Sequence, residues 1–408
     1  MVAPGSAVST SPQTSAAARV TTRITSIDAF RGLVMFLMLA EVMRLWTLEK
    51  AFPGSRFWAI VAFNTDHVPW QGCSVHDLIQ PAFSFLAGAS LPFSIASRRN
   101  RGESFGRLFT HAVWRSLALI FLGIFLRSLN RPTTYWTFED TLTQIGLGYT
   151  FLFLLAFASR RIQIVTFTTI LVAFWAAFVI YPLPGPDFDY TKVGVPAGWP
   201  HLYDGFRAHF NKNSNLSWAF DVWFLNLFPR QAPFRFNGGG WSTLSFIPTL
   251  ATMMLGLWAG QWLMTTRSTL DKLKGLVAAG VALTLAGLVL QWLHICPIVK
   301  RIWTSSYTLY SGGVVVLMLA VFYALIEVQG WKRWSFPLLV IGANSIAIYV
   351  IAHTMEEFIA SALGRHLGAA PFAVLGPPFE PVMRGAAVLL VFWLILYWMY
   401  RRKIFLKI

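Results

Sequence analysis

The chain has 408 residues, of which 56% are apolar and only 12% charged, with a formal net charge of +16. Soluble globular chains carry about 45–50% apolar and about 25% charged residues, so this composition excludes a soluble enzyme, and disordered chains deviate the opposite way. With 35 Phe, 18 Trp and a mean hydropathy of +0.56, what remains is an all-α polytopic membrane protein; a transmembrane barrel would alternate polarity along short strands.

Residues 1–22 are rich in Ala, Ser, Thr and Pro and read as a disordered cytoplasmic leader. The first apolar run after them opens with Asp28 and Arg31 and lacks a small-residue cleavage site, so it is expected to be retained rather than removed as a signal peptide. A spanning helix needs about 20 mainly apolar residues. Ten segments qualify, near 27–46, 75–97, 111–129, 142–159, 164–183, 244–265, 275–295, 305–328, 335–357 and 382–400.

The connections alternate in character. One set holds Arg98, Arg99, Arg101 and Arg107, then Arg160 and Arg161, then Arg267, Lys272 and Lys274, then Lys332 and Arg333. The other set is mixed in sign and rich in Pro, Gly, Asn and Trp: 47–74, 130–141, 184–243, 296–304 and 358–381. Positive charge in short connections marks the cytoplasmic side, which puts both termini inside. Most of the +16 is therefore read as membrane topology, and no nucleic-acid partner is expected. Residues 23–408 are expected to form one transmembrane domain, with 184–243 as a large outer region whose amphipathic piece 216–228 lies on the membrane surface or over the bundle mouth. No internal repeat appears, which counts against an inverted-repeat transporter. Cys73 and Cys296 read as ordinary small residues, with one bond between them as the alternative.

Charged groups inside spans are functional candidates by default. Asp28 and Arg31 share one helical face and are either a structural ion pair or an anion-binding pair. Glu41 either pairs with Arg44 or faces the mouth. The densest polar stretch runs from Asn64 to Pro81 and holds Asn64, Asp66, His67, Trp70, Gln71, His76 and Asp77 at the start of the second span. Ser74 or Asp77 is positioned to cap that helix, and Asp77 suits the positive end of its dipole. Asn237, followed by Gly238-Gly239-Gly240, is either a plain turn or a place where backbone N–H groups approach a ligand. Asn344-Ser345 and the pair His353 and Glu356 add polar groups near the proposed mouth. No paired-His or Cys-x-x-Cys spacing for a metal appears, so no metal site is expected.

Three stretches together resemble one family. They are Arg23-Ile24-Thr25-Ser26-Ile27-Asp28-Ala29-Phe30-Arg31-Gly32, then His67-Val68-Pro69-Trp70-Gln71-Gly72 with Asp77-Leu78-Ile79-Gln80-Pro81, and the ending Tyr400-Arg401-Arg402-Lys403-Ile404-Phe405-Leu406-Lys407-Ile408. In order and spacing, with Leu142-Thr143-Gln144, Trp303, Ser306-Tyr307, Asn344-Ser345 and His353 between them, the chain resembles the bacterial branch of the heparan-α-glucosaminide N-acetyltransferase family. The resemblance implies an inner-membrane acyltransferase that carries an acetyl group from cytosolic acetyl-CoA to an amino sugar on the far side of the bilayer. It implies that His67 is the active-site histidine, and it makes a homodimer plausible. One departure stands out: the family has an Asn near the outer end of its first helix, where this chain has Glu41-Val42. Either Asn64 or Glu41 takes that role, or the acceptor differs.

Acyl transfer to an amine needs a base for the amine proton and donors for the tetrahedral oxyanion. His67 suits the first, oriented by Asp66 or Asp77, with Asn64, Trp70 and Asn344 as oxyanion candidates. Arg31 (with Asp28), Arg98 and Arg115 are expected to hold the phosphates of coenzyme A, with Gln144, Ser306 and Asn344 along the donor's path. Trp70, Asn237, His353 and Glu356 are expected on the acceptor side. An acyltransferase-3-type O-acyltransferase, which normally has a His in its first helix, and a small-molecule transporter with a polar midplane site are the rival readings.

Overall fold

Five of the long helices begin where a short polar side chain meets an apolar run. Ser104, Asp140, Ser159, Ser268 and Thr304 each accept a backbone N–H from the first turn that follows. Each cap satisfies an amide that the first turn leaves without an intrahelical partner. The computed structural model describes residues 24–406, so the leader over 1–22 and the last two residues of the closing motif lie outside the described residues.

The helices are α1 (Thr25–Leu39), α2 (Leu48–Ala51), α3 (Arg56–Thr65), α4 (Ile79–Asn100), α5 (Phe105–Ser128), α6 (Thr141–Phe157) and α7 (Arg160–Ile180). They continue with α8 (Leu216–Phe224), α9 (Phe246–Leu263), α10 (Thr269–Trp292), α11 (Ser305–Tyr323), α12 (Phe336–Ala343), α13 (Ser345–Leu367) and α14 (Glu380–Arg401). Among the described residues there is no strand, and the fold is an all-α, multi-pass membrane bundle.

Among the described residues eight helices, with their flanking turns, are long and apolar enough to cross a bilayer. The other two expected spans are helical but shorter: α1 has 15 residues and α6 has 17. The segment expected at 27–46 stops as α-helix at Leu39, tightens into a 3-10 turn over Ala40–Met43 and reverses at Arg44, whose φ is 51°. The segment expected at 335–357 corrects further. It breaks at Asn344 (φ −129°, ψ 41°), so the crossing helix is Ser345–Leu367 and the following connection starts only at Gly368. The break is held by tertiary bonds: Asn344 Nδ2 donates to Ile404 O at 2.9 Å, and its Oδ1 accepts from Leu406 N at 3.1 Å. Apolar periodicity runs through such a break unchanged, which is why composition alone merges the two helices.

The span containing α9 has 78% of its apolar window buried within the protein, against 17% for that containing α10. Helix α9 is therefore the axis of the bundle and α10 lies against lipid. Helices α4 and α9 touch backbone to backbone: a Cβ placed on Gly256 would stand 1.8 Å from Phe85 O, and one on Gly88 would stand 1.9 Å from Met253 O. Small residues at such a contact replace the hydrophobic effect, which does not operate between helices in lipid, with close dispersion packing. The beginnings of α4, α9 and α11 are tied together by the connections that precede them, and that is where the polar cluster sits.

Candidate functional site

The connection that follows α3 turns into α4 through a reciprocal cap. Ser74 Oγ accepts the backbone N–H of Asp77 at 3.2 Å, and Asp77 Oδ2 accepts that of Ser74 at 3.1 Å. Both residues proposed as the cap thus take part, in the manner of a capping box. Val68 N also donates to Oδ2, at 3.2 Å. These bonds bend the 66–77 segment back on itself and bring His67 over the helix start. His67 Nδ1 lies 2.8 Å from Asp77 Oδ1, while the His67 side chain stays 33% exposed and that of Asp77 only 2%. A carboxylate oxygen at this distance from a ring nitrogen assigns the proton to Nδ1 and the free lone pair to Nε2.

The third member of the cluster is Lys300, which the sequence reading did not single out. Its side chain is 3% exposed, with Nζ 3.2 Å from Asp77 Oδ1 and 3.3 Å from His67 Nδ1. Burial pulls the Lys300 ammonium below the ordinary lysine value, and the Asp77 charge pulls it back up. The available signal was positional: on the positive-inside reading, a Lys-Arg pair in a short outer connection breaks the rule and calls for another reason to be there. The connection bearing it is rigid. Gln71 and Val299 pair in an isolated antiparallel bridge, Gly72 N donates to Ile298 O at 2.9 Å, and Tyr307 Oη donates to Asp77 O at 2.7 Å.

Trp241 forms the roof. Its ring centroid is 5.3 Å from that of His67 in an edge-on arrangement, and Lys300 Nζ and the Arg301 guanidinium lie 5.3 and 5.0 Å from it. Arg301 also donates to Gly239 O at 2.8 Å and Val68 O at 3.2 Å, clamping the glycine loop to the His67 segment. Asn237 is a turn-former here rather than an acceptor contact: its Oδ1 takes the N–H groups of Gly239 and Trp241. Cys73, beside the cluster, has its thiol pushed up to about 12 by burial and by Asp77, so it is inert at neutral pH. Cys73 and Cys296 are both free thiols.

The base of the same loop rests on a buried carboxyl. Asp221 on α8 accepts the N–H of Thr243 at 3.0 Å, and burial raises its pKa to about 7, with Glu139 adding to the rise. An unfolded Asp titrates near about 3.9, so the folded protein holds this proton more tightly. Its stabilising contribution is complete at low pH and is lost as pH climbs from about 4 through 7. Asp221→Asn, which keeps an oxygen for Thr243, is expected to melt at a higher temperature than the parent at pH 8, with the gap closing toward pH 4. A thermal-shift series in detergent checks this; a gap independent of pH would remove the carboxyl from the explanation.

The remaining expected residues are dispersed. Asp66 accepts the backbone N–H of His67 at 2.6 Å, so Asp77 and not Asp66 meets the ring. Asn64 is committed to its own loop, donating to Ile60 O and accepting from Val75 N. Trp70 is fully buried, donates Nε1–H to Phe210 O at 3.1 Å and packs against Trp199, which makes it a core residue. Gln144 is equally buried and donates to Phe138 O and Thr243 O, latching α6 to the start of α9. Ser306 donates to Pro297 O and shapes the Lys300 connection. Asn344 holds the C-terminal segment through Ile404 O and Leu406 N. His353 stacks on Tyr349 at 4.4 Å, with Nδ1 at 2.8 Å from Tyr349 O, and Glu356 feels Arg44, Glu41 and His353; no described contact joins this pair to His67.

The basic groups divide likewise. Arg31 pairs with Asp28 at 2.9 Å and reaches Ser90 on α4. Arg98 bonds Glu103 and lies 2.7 Å from His111 Nε2, while Arg115 donates to Tyr149 Oη and covers its ring at 4.7 Å. Arg115 Nε is buried with no partner among the described residues.

No protein-family model matches the chain. It is 24% identical to heparan-α-glucosaminide N-acetyltransferase of Mus musculus, over 95% of this chain and 60% of that protein. It is also 24% identical to the enzyme of that name from Homo sapiens, over 82% of this chain and 53% of the relative. The chain thus spans little more than half the length of these relatives. The similarity runs along practically the whole sequence and agrees with the resemblance that the motifs carry.

Proposed function

We propose that this protein is an integral-membrane acyltransferase that moves an acetyl group from cytosolic acetyl-CoA to the amino group of an amino sugar, or a similar acceptor, on the outer side of a cell's inner membrane. The observation that carries the reading is the His67–Asp77 pair at the start of α4, in a chain similar to two N-acetyltransferases. The acceptor nitrogen attacks the thioester carbonyl, its proton passes to His67 Nε2, and the C–S bond breaks with the sulfur taking the electron pair and finally that proton. Asp77 orients the ring throughout and stabilises the imidazolium that forms.

Acetyl-CoA is a substrate here, and the residues present fit its phosphates. Arg98 and Arg115 flank His111 on the α4–α5 side, and the unpartnered Arg115 Nε offers a donor that an anion would satisfy. Arg31, already engaged with Asp28 and Ser90, is placed to orient rather than to carry the charge alone.

The test uses purified protein in proteoliposomes, with radiolabelled acetyl-CoA on one face and glucosamine as the acceptor probe on the other. N-acetylated sugar is the expected product. Uptake of sugar with no acetylated product would replace the reading with a transporter.

A further inference from the structure

We propose that Lys300 is a positioning residue for this transfer: together with Asp77 it locks the His67 ring in the tautomer whose Nε2 is free to take the acceptor proton. The inference rests on the acyltransferase reading above. Asp77 Oδ1 faces two nitrogens at once, His67 Nδ1 at 2.8 Å and Lys300 Nζ at 3.2 Å, and the two nitrogens are 3.3 Å apart. With a bare Nδ1 accepting from Lys300, the ring lone pair would be forced against Oδ1, so the geometry admits a protonated Nδ1 and an open Nε2. An imidazolium in the same place would stand beside an ammonium, and like charges this close repel strongly in a buried setting.

The other groups facing the ring do not supply this effect. His76, on the turn leading into α4, has its ring centroid 4.4 Å away. Trp241 contributes an aromatic edge from the glycine loop, with Arg301 beyond it. Asp66, on the ring's own segment, bonds through the backbone amide alone. Lys300 is thus the cation that shares Asp77 with the ring. Its side chain is 3% exposed and meets Asp77 and His67, so its action runs through that pair.

Without the ammonium, the imidazole–carboxylate pair is free to take up a proton and idle as an ion pair at neutral pH. In proteoliposomes with acetyl-CoA and glucosamine, Lys300→Met is expected to lower kcat about 10²-fold at neutral pH, the scale of a misplaced general base. KM for glucosamine stays within about threefold, and the loss shrinks toward about pH 9. Lys300→Arg recovers activity to within about tenfold, because charge returns with altered reach. Nitrogen-15 spectra of labelled histidine report the protonation form independently of turnover: a neutral Nδ1–H ring in the parent protein, an imidazolium in Lys300→Met at neutral pH.

The outcomes separate the two ideas. A parent protein that yields no N-acetylated sugar sinks the acyltransferase reading. An inactive His67→Ala beside a Lys300→Met with unchanged kcat and pH profile overturns the role of Lys300 alone. If Lys300→Met does not fold, the histidine spectrum of the parent protein carries the test: a His67 ring protonated on Nε2 at neutral pH overturns the proposal.

Discussion

His67→Ala is expected to lower acetyl transfer by about 10²–10⁴-fold, the range a positioned general base supplies, which corresponds to about 3–5 kcal/mol of transition-state stabilisation. The variant is a clean one. The His67 side chain is one-third exposed, so its truncation leaves no deep cavity, and Asp77 keeps Lys300, Val68 and Ser74 as partners. Asp77→Asn is the harsher change, because it leaves the buried Lys300 ammonium without its counter-charge. Breaking a buried pair in this way costs about 3–5 kcal/mol of stability, so lost activity there mixes folding with chemistry. The measurement is single-turnover transfer from saturating acetyl-CoA, with size-exclusion profiles and melting temperatures confirming that His67→Ala is folded. A wild-type rate from that folded protein removes His67 from the mechanism.

The second large effect is structural and lies at the axis of the bundle. Gly256→Leu is expected to yield no folded protein, and Gly256→Ala to lose at least the 1–3 kcal/mol typical of overpacking. A Cβ there would stand 1.8 Å from Phe85 O and 2.7 Å from Phe85 C, and both belong to backbone that has no rotamer to escape into. Helices α4 and α9 would have to separate, and because α4 begins at the Asp77 turn, the strain reaches the polar cluster directly. Gly364→Ala, on α13, is the control: nothing lies within 4 Å of its new Cβ. There the substitution is expected to stabilise by about 0.5–1 kcal/mol through the ordinary helix preference for alanine. Melting curves in one detergent compare the two; a Gly256→Ala protein as stable as its parent would mean the α4–α9 contact is not close-packed.

Much of this molecule was legible beforehand, and the reasons are particular. A bilayer imposes length and polarity on each crossing, so the apolar runs locate the helices. The stretch from Asn64 to Asp77 packs too many titratable groups into a helix start to be accidental, and His67 and Asp77 do meet there. Several of the expected site residues also do structural work that the sequence did not reveal. Trp70, Gln144, Ser306 and Asn344 are all buried, and each donates to a backbone carbonyl elsewhere in the fold, while Gln144 Oε1 has no partner among the described residues. A single sequence does not distinguish a polar side chain that satisfies a distant carbonyl from one that awaits a substrate, because both are polar residues in apolar surroundings.

By itself, then, the sequence determined the solvent this protein lives in, the rough placement of its apolar helical segments, and the histidine and aspartate at the head of α4. These follow from local composition and from groups ten residues apart. Only the tertiary structure decided that Lys300 completes the pair from 233 positions away, that Trp241 and Arg301 roof it, and that the helix before Ser345 breaks at Asn344 to hold the C-terminal segment. Those are long-range pairings, chosen by which buried charges and amides find partners when the helices close on one another, and no spacing along the chain encodes them.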